Sequence, residues 1–170
     1  MTHPLVLQLR FTRSEFKRAI AGISDEDARR RLMPMNSISW TIGHMASQEQ
    51  RYWLFRLQGR LLLPEIHELY NYGAPAHSPG LAEIWQAYQA IIAEVDPWLD
   101  TLTSPLLQEP RPITIDGEPF SVTAGSLLQR VIYHYWYHTG ENMAVRQLLG
   151  HKDLPEFVGD IDEQAPYIPE

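Results

Sequence analysis

Two histidines, His134 and His138, lie four residues apart in the segment VIYHYWYHTGEN. In an α-helix, residues i and i+4 are about 6 Å apart along the helix axis and about 40° apart around it. Both imidazoles can therefore bind one metal ion from the same face of a helix. Val131 and Val145 belong to this face, which predicts that the two rings point into the protein core.

The spacing of the pair leaves a second interpretation open. Seven histidines occur in 170 residues, and a pair at this spacing arises by chance in roughly one such chain in four. The two rings would then be hydrogen-bonded to tyrosine or carbonyl partners in the core, or exposed to solvent.

A third histidine, His44, favours the metal-binding interpretation. It lies in the apolar segment ISWTIGHMA, where the small residues Gly43 and Ala46 allow a second helix or a ligand to approach closely. Three inward imidazoles on two helices would form a three-nitrogen site with open coordination positions, suited to Zn, Ni or Fe. We therefore predict a divalent transition metal as cofactor, bound by His44, His134 and His138.

The sequence defines no catalytic residue, and Glu141 is the single candidate. The histidine pair lacks the zinc-protease pattern His-Glu-x-x-His, because Tyr135 follows His134. Glu141 lies one helical turn beyond His138 and could orient a ligand, accept a proton or complete the coordination. The alternative is an acid on the helix surface or a partner of Arg146.

Four long amphipathic stretches must position these side chains. Each repeats apolar residues at helical spacing and is bounded by capping residues, glycine or proline. We predict long helices over residues 5–22, 38–59, 81–102 and 123–149. Pro97 should kink or interrupt the third of them, and a short helix should follow the cap at Ser24.

The segments between these helices differ in kind. Residues 60–80 are rich in proline and glycine and should form a crossover or a functional loop, in which His67 and His77 would line the open end of the site or lie exposed. The segment PITIDGEPFSV predicts a minor β-hairpin with its turn at Asp116-Gly117. Residues 152–170 form an acidic, proline-rich tail that should extend over the surface or pack loosely.

The predicted fold is all-α: a four-helix bundle with a long connection between the second and third long helices and a hairpin before the last. We expect residues 1–170 to form a single domain.

The composition excludes several classes of protein. The chain has no cysteine, which excludes a disulfide framework, a cysteine-based metal site and a cysteine nucleophile. The net charge of −7 argues against nucleic-acid binding. No apolar stretch is long enough to cross a membrane, and the first residues lack the pattern of a signal peptide, so we expect a cytoplasmic protein.

The segments SWTIGHMASQEQRYW and IYHYWYHTGEN, in this order and far apart in the chain, resemble the DinB-like (DNA-damage-inducible B, YfiT-like) superfamily of metalloenzymes. The resemblance covers nearly the whole chain. It implies an up-down-down-up bundle, often a homodimer, in which His44, His134 and His138 bind a divalent metal. Characterised relatives include transferases and isomerases that use low-molecular-weight thiols, so the resemblance implies a small-molecule substrate and a thiol partner.

Three functions follow for comparison. The first is a metal-dependent enzyme, such as a thiol-dependent S-transferase or isomerase of a small molecule. The second is a non-catalytic dimeric bundle that binds a small ligand or acts in a stress response. The third, nucleic-acid binding, is suggested only by the family name and is opposed by the charge of −7. The sequence does not decide between the first two.

Overall fold

The computed structural model describes residues 2–115 and 117–168 and is mostly helical, with one small two-stranded sheet. The helices are α1 Pro4–Ala19, α2 Asp25–Arg29, α3 Ile38–Glu49, α4 Pro64–Leu69, α5 Leu81–Leu99, α6 Ser104–Gln108, α7 Ala124–Leu148 and α8 Ile161–Gln164. The strands are β1 Arg111–Ile115 and β2 Glu118–Val122.

Side-chain caps start α2, α3 and α7 next to the residues where these helices were predicted to begin. The hydroxyl of Ser37 accepts a hydrogen bond from the backbone N–H of Trp40 at 3.2 Å, and Ser24 caps α2 in the same way. Thr123 caps α7, and Gly150 follows α7 with a φ of 83°. These contacts satisfy backbone groups that the first and last turns of a helix leave without partners.

The sequence predicted one continuous helix over residues 38–59, but the second long helix is not α-helical throughout. A π-helical segment, Gln50–Arg56, continues from the end of α3. Buried polar contacts accompany the change. The indole N–H of Trp53 donates to Glu49 Oε2 at 2.6 Å, and the amide of Gln50 bonds both backbone groups of Leu63. Because such a segment bonds residue i to i+5, it changes which side chains share a face.

The long helices pack around one apolar core. α1 lies mainly against α7, and α3 lies against α5 and α7. Phe16, Ile42, Trp53 and Tyr135 are fully buried between them. Pro97 was predicted to kink or interrupt the third long helix. It does not interrupt α5, which runs through this residue and ends at Leu99; a kink at Pro97 stays a prediction.

The predicted connection at residues 60–80 contains the short helix α4, which packs against α3. The predicted hairpin is confirmed, with β1 antiparallel to β2 and Ile113 opposite Phe120. Its turn includes Gly117 at a φ of 84°, whereas Asp116 lies outside the described residues.

The tail is more ordered in its contacts than the sequence suggested. It runs along α1, where Gln8 donates to the carbonyl of Ala165 at 2.6 Å and Gly159 donates to Glu15 at 2.9 Å. Within the described part of the chain, none of the helices has the length and apolar character required to cross a membrane.

Candidate metal centre

The fold brings His44 of α3 together with His134 and His138 of α7. One ring nitrogen from each lies within 4.8 Å of the others. The ring centre of His44 is 5.1 Å from each of the other two, which are 4.4 Å from one another. The three residues predicted from the sequence are therefore neighbours, and their role as metal ligands stays a prediction.

The orientation of His44 is set by the connection after the π-helical segment. Its Nδ1 lies 2.7 Å from the backbone carbonyl oxygen of Tyr70. Because a carbonyl only accepts, Nδ1 carries the hydrogen and Nε2 presents its lone pair. The ring also stacks on Trp40, with 4.9 Å between ring centres. Burial lowers the pKa of His44 to about 4, so the imidazole is neutral at neutral pH.

Gly43 permits this arrangement. A Cβ at this position would overlap the ring of Tyr70. The missing side chain lets the ring of Tyr70 lie against α3, which places its carbonyl beside the next residue, His44. Glycine has a low helix propensity, and its presence inside α3 is thus explained by close packing rather than by backbone flexibility.

His138 is oriented by a carboxylate. Its Nδ1 lies 2.6 Å from Glu141 Oε2, and this hydrogen bond is the main cause that lowers the pKa of Glu141. Glu141 is therefore ionised and accepts from Nδ1, as expected for a group that orients a ligand. The predicted alternative partner, Arg146, instead donates to the carbonyl of Ala19 at 2.6 Å.

His134 completes the cluster. Its Nε2 lies 2.9 Å from Nε2 of His138, which requires a hydrogen on one of the two nitrogens. Its Nδ1 is buried and has no partner among the described residues. Burial, followed by His138 and His44, lowers the pKa of His134 to about 3. Protonation of His134 to the charged imidazolium is thus strongly disfavoured.

This donor set fits a divalent metal. Metal-binding histidines commonly donate their second ring N–H to a carboxylate or a backbone carbonyl, which fixes the tautomer. His138 and His44 show these two partners, Glu141 and Tyr70. A cation between the Nε2 lone pairs would also replace the contact between His134 and His138, in which two nitrogens compete for one hydrogen.

Two openings flank the cluster. On the His138 side lies a cavity of about 210 Å³, lined in part by Trp40, Glu141 and Asn142. Buried N–H groups of Trp40 and Asn142 lack acceptors among the described residues. On the His134 side lies an open groove of about 590 Å³, whose wall includes Gln48 and Arg130. A small molecule has room on either side.

Sequence reasoning missed a buried polar network beside the cluster. Glu49 is fully buried and accepts from Arg13 Nε at 2.8 Å and Nη2 at 2.6 Å. Tyr135 OH also donates to Glu49 at 2.7 Å, and Tyr88 OH bonds to Tyr135 at 2.8 Å. The network joins all four long helices. The only sequence signal was an acid, Glu49, within the apolar repeat of its helix.

The two loop histidines lie outside the cluster. His77 packs on the ring of Tyr70, with 4.6 Å between ring centres, and His67 of α4 lies near Phe55 at 5.9 Å. Both are partly buried. The alternative that they lie exposed is wrong, because the helix α4 and Tyr70 hold them against the protein; the alternative that they line the open end of the site stays a prediction.

Comparison with known proteins gives one result on identity. No curated protein matches the chain significantly. The family model of the DinB superfamily matches residues 8–141, which is most of the chain and includes the three clustered histidines, Tyr70 and Glu141. The chain therefore belongs to the DinB superfamily.

Proposed function

We propose that this protein is a metal-dependent enzyme that binds one divalent transition metal through His44, His134 and His138. The observation that carries the proposal is the convergence of three ring nitrogens within 4.8 Å, with two rings oriented through their opposite nitrogens. Zn, Ni and Fe suit such a site, since all accept imidazole ligands. The long helices would form an up-down-down-up four-helix bundle around it.

A metal held by these three imidazoles would keep coordination positions open for a substrate atom and would lower the pKa of a bound water or thiol. The residues of this chain supply the geometry. Tyr70 and Glu141 hold the rings of His44 and His138 in place through hydrogen bonds to Nδ1. Glu141 also borders the cavity of about 210 Å³, where its carboxylate is available to a proton of the substrate.

The reaction we propose is S-transfer from, or isomerisation assisted by, a low-molecular-weight thiol. The chain has no cysteine, so a reactive thiol must come from a second small molecule. Two openings beside the cluster provide space for a thiol and an acceptor. Membership of the DinB superfamily supports this reaction class.

We also propose a homodimer. Tyr137 of α7 is 61% exposed. Large aromatic side chains bury much apolar area when a partner covers them, which favours an interface at this face. Sedimentation analysis of the purified protein, compared with a Tyr137→Lys variant, tests this assignment.

Elemental analysis tests the metal site directly. Protein purified without chelators and without nickel resin should contain about one transition-metal ion per chain. His138→Ala should lose the metal, whereas His151→Ala, a histidine at the far end of α7 bonded to Arg146, should retain it. A protein that stays metal-free after incubation with Zn, Ni, Fe or Mn would contradict the proposal.

A second function is supported by a separate cavity. A largely apolar pocket of about 480 Å³ lies between α1 and α5, bordered by Ile20, Ile23, Leu81 and Trp85. This pocket favours a non-catalytic bundle that binds a small apolar ligand. Under this alternative no metal-dependent turnover is expected, and His44→Gln should have only a mild effect on stability.

A further inference from the structure

The groove on the His134 side of the cluster differs in charge from the rest of the protein. It extends from His134 and Gln48 to Tyr52, Arg130 and Ser126 and has a volume of about 590 Å³. The described residues that line it include no aspartate or glutamate, although the whole chain has a net charge of −7. A negatively charged ligand would therefore meet no carboxylate on the wall of this groove.

Arg130 lines the groove, and Arg51 and Arg56 lie near the ring of Tyr52, which also lines it. The Cζ atoms of Arg56 and Arg51 lie 4.8 and 5.9 Å from the ring centre of Tyr52, and Arg51 also donates to Asn71 Oδ1 at 2.9 Å. Arg130 lines the groove, is exposed, and its side chain makes no hydrogen bond within the described residues. Neither Arg130 nor the other two form an ion pair there, whereas Arg10, Arg13 and Arg18 are each paired with an acid.

The positive charges are close enough to affect one another. Burial lowers the pKa of Arg56, and the neighbouring charges of Arg51 and Arg130 lower it further. Like charges that are held together in this way raise the energy of the free protein and favour a bound anion. Within the described residues, these three arginines therefore lack the carboxylate partner that their positive charges favour.

The π-helical segment helps to bring Arg51 and Arg56 together. In an α-helix, side chains five residues apart point about 140° away from each other. A segment that bonds residue i to i+5 brings such side chains towards one face. Arg51 and Arg56 are five residues apart within Gln50–Arg56, and both lie near the ring of Tyr52. The π-helical segment therefore places two positive charges next to Tyr52, which lines the groove.

The start of α7 adds to the positive potential. Ser126 belongs to the first turn of this helix and also lines the groove. The N-terminal end of a helix of 25 residues carries partial positive charge. Arg130 follows one turn later and His134 one further turn later, so each step along the groove is about 6 Å. The start of α7, Arg130 and His134, which belongs to the three-histidine cluster, therefore border the same groove.

We propose that this groove binds the anionic group, a carboxylate or a phosphate, of the small molecule that reaches the three-histidine cluster. The inference rests on the proposed function and narrows it, because it assigns negative charge to the thiol or its acceptor. Guanidinium groups bind carboxylates and phosphates through charge-assisted hydrogen bonds. Arg130 contacts the anion directly, and Arg51 and Arg56 strengthen the field around it.

The test compares three small thiols that differ in charge. The protein is loaded with cobalt(II), and mercaptopropionate, mercaptoethanol and cysteamine are titrated while thiolate-to-cobalt absorption is recorded. We expect the anion, mercaptopropionate, to bind about tenfold more tightly than neutral mercaptoethanol, as one charged hydrogen bond would provide. The cationic thiol, cysteamine, should bind most weakly, and added salt should reduce the difference.

Matched variants separate the groove from general charge effects. Arg130→Gln should remove the preference for mercaptopropionate and leave the affinity for mercaptoethanol unchanged. Arg29→Gln is the control, because Arg29 is an exposed arginine of α2 that pairs with Asp25. Equal binding of the anionic and neutral thiols, or a preference that survives in Arg130→Gln, would overturn the anion site while leaving the metal site intact.

A protein that binds no cobalt would instead contradict the proposed function. The groove is then tested by calorimetric titration of succinate and of inorganic phosphate into the same protein. Binding that is lost in Arg130→Gln supports the anion site, and the ligand that binds identifies carboxylate or phosphate as the preferred group. Absence of binding by both overturns it.

Discussion

The backbone carbonyl oxygen of Tyr70 lies 2.7 Å from Nδ1 of His44. This contact joins α3 to the connection between the second and third long helices, and it fixes which nitrogen of His44 faces the other two imidazoles. Gly43 makes no part of this contact itself, but its lack of a side chain makes room for the Tyr70 ring. The geometry of the cluster thus depends on close packing outside it.

The substitution Gly43→Ala should weaken metal binding. Its Cβ would displace the ring of Tyr70 and move the carbonyl away from His44, and loss of such an orienting partner typically reduces metal affinity about 10- to 100-fold. Gly140→Ala is the control, since a Cβ there meets no atom within 4 Å. Zinc affinity measured by competition with a chromogenic chelator checks the result; equal affinities for both variants would contradict this role of Gly43.

Glu141→Ala should also reduce metal affinity, by about 10- to 100-fold. The variant removes the acceptor that lies 2.6 Å from His138 Nδ1, so the ring loses its fixed tautomer. Glu118→Ala, an exposed acid of β2, should have no effect on the same measurement. The interpretation of Glu141 as an orienting group fails if the affinity of Glu141→Ala equals that of the unmodified protein.

Arg13→Ala should destabilise the protein by about 3–5 kcal/mol, because it leaves the buried charge of Glu49 without its partner. The matched control is Arg10→Ala, also on α1. Arg10 pairs with Asp100 at 2.9 Å, and the side chains are 31% and 47% exposed, so its loss should cost about 0–1 kcal/mol. Urea denaturation gives both values, and similar losses for the two variants would show that the buried network adds little.

The metal-free protein should lose stability as the pH falls from about 7 towards 4. The pKa of His44 is lowered to about 4 in the folded state, whereas an unfolded histidine has a pKa of about 6.5. Between these values the unfolded chain binds a proton that the folded chain does not, which favours unfolding by about 1.4 kcal/mol per pH unit for one imidazole. Urea denaturation at several pH values should show a smaller slope for His44→Gln, and an unchanged slope would contradict this origin.

The sequence was sufficient to predict the three clustered histidines and the elements that carry them. Helical periodicity places His134 and His138 on one face of a helix and His44 on an apolar helix. The capping residues and the hairpin also followed from local residue types. These features depend on neighbours in the chain, which a single sequence shows.

The remaining parts of the site depend on contacts between distant segments. The acceptor for His44 is a backbone carbonyl, and every residue has one, so no side chain marks Tyr70 for this role. The pairing of Arg13 with Glu49 joins two helices whose relative rotation is not visible in the sequence. The π-helical segment is likewise accompanied by buried contacts of Trp53 and Gln50 with Glu49 and Leu63, which the sequence pattern does not show.

His44 and His134 come from widely separated parts of the chain, on α3 and α7. An unfolded chain therefore has no preformed cage for an ion, and an ion held by these imidazoles would bind the native form selectively. If the three histidines bind a metal as proposed, this linkage would make the lifetime of the protein against proteolysis depend on the supply of metal in its surroundings. Metal starvation would then remove the protein itself as well as any activity it has.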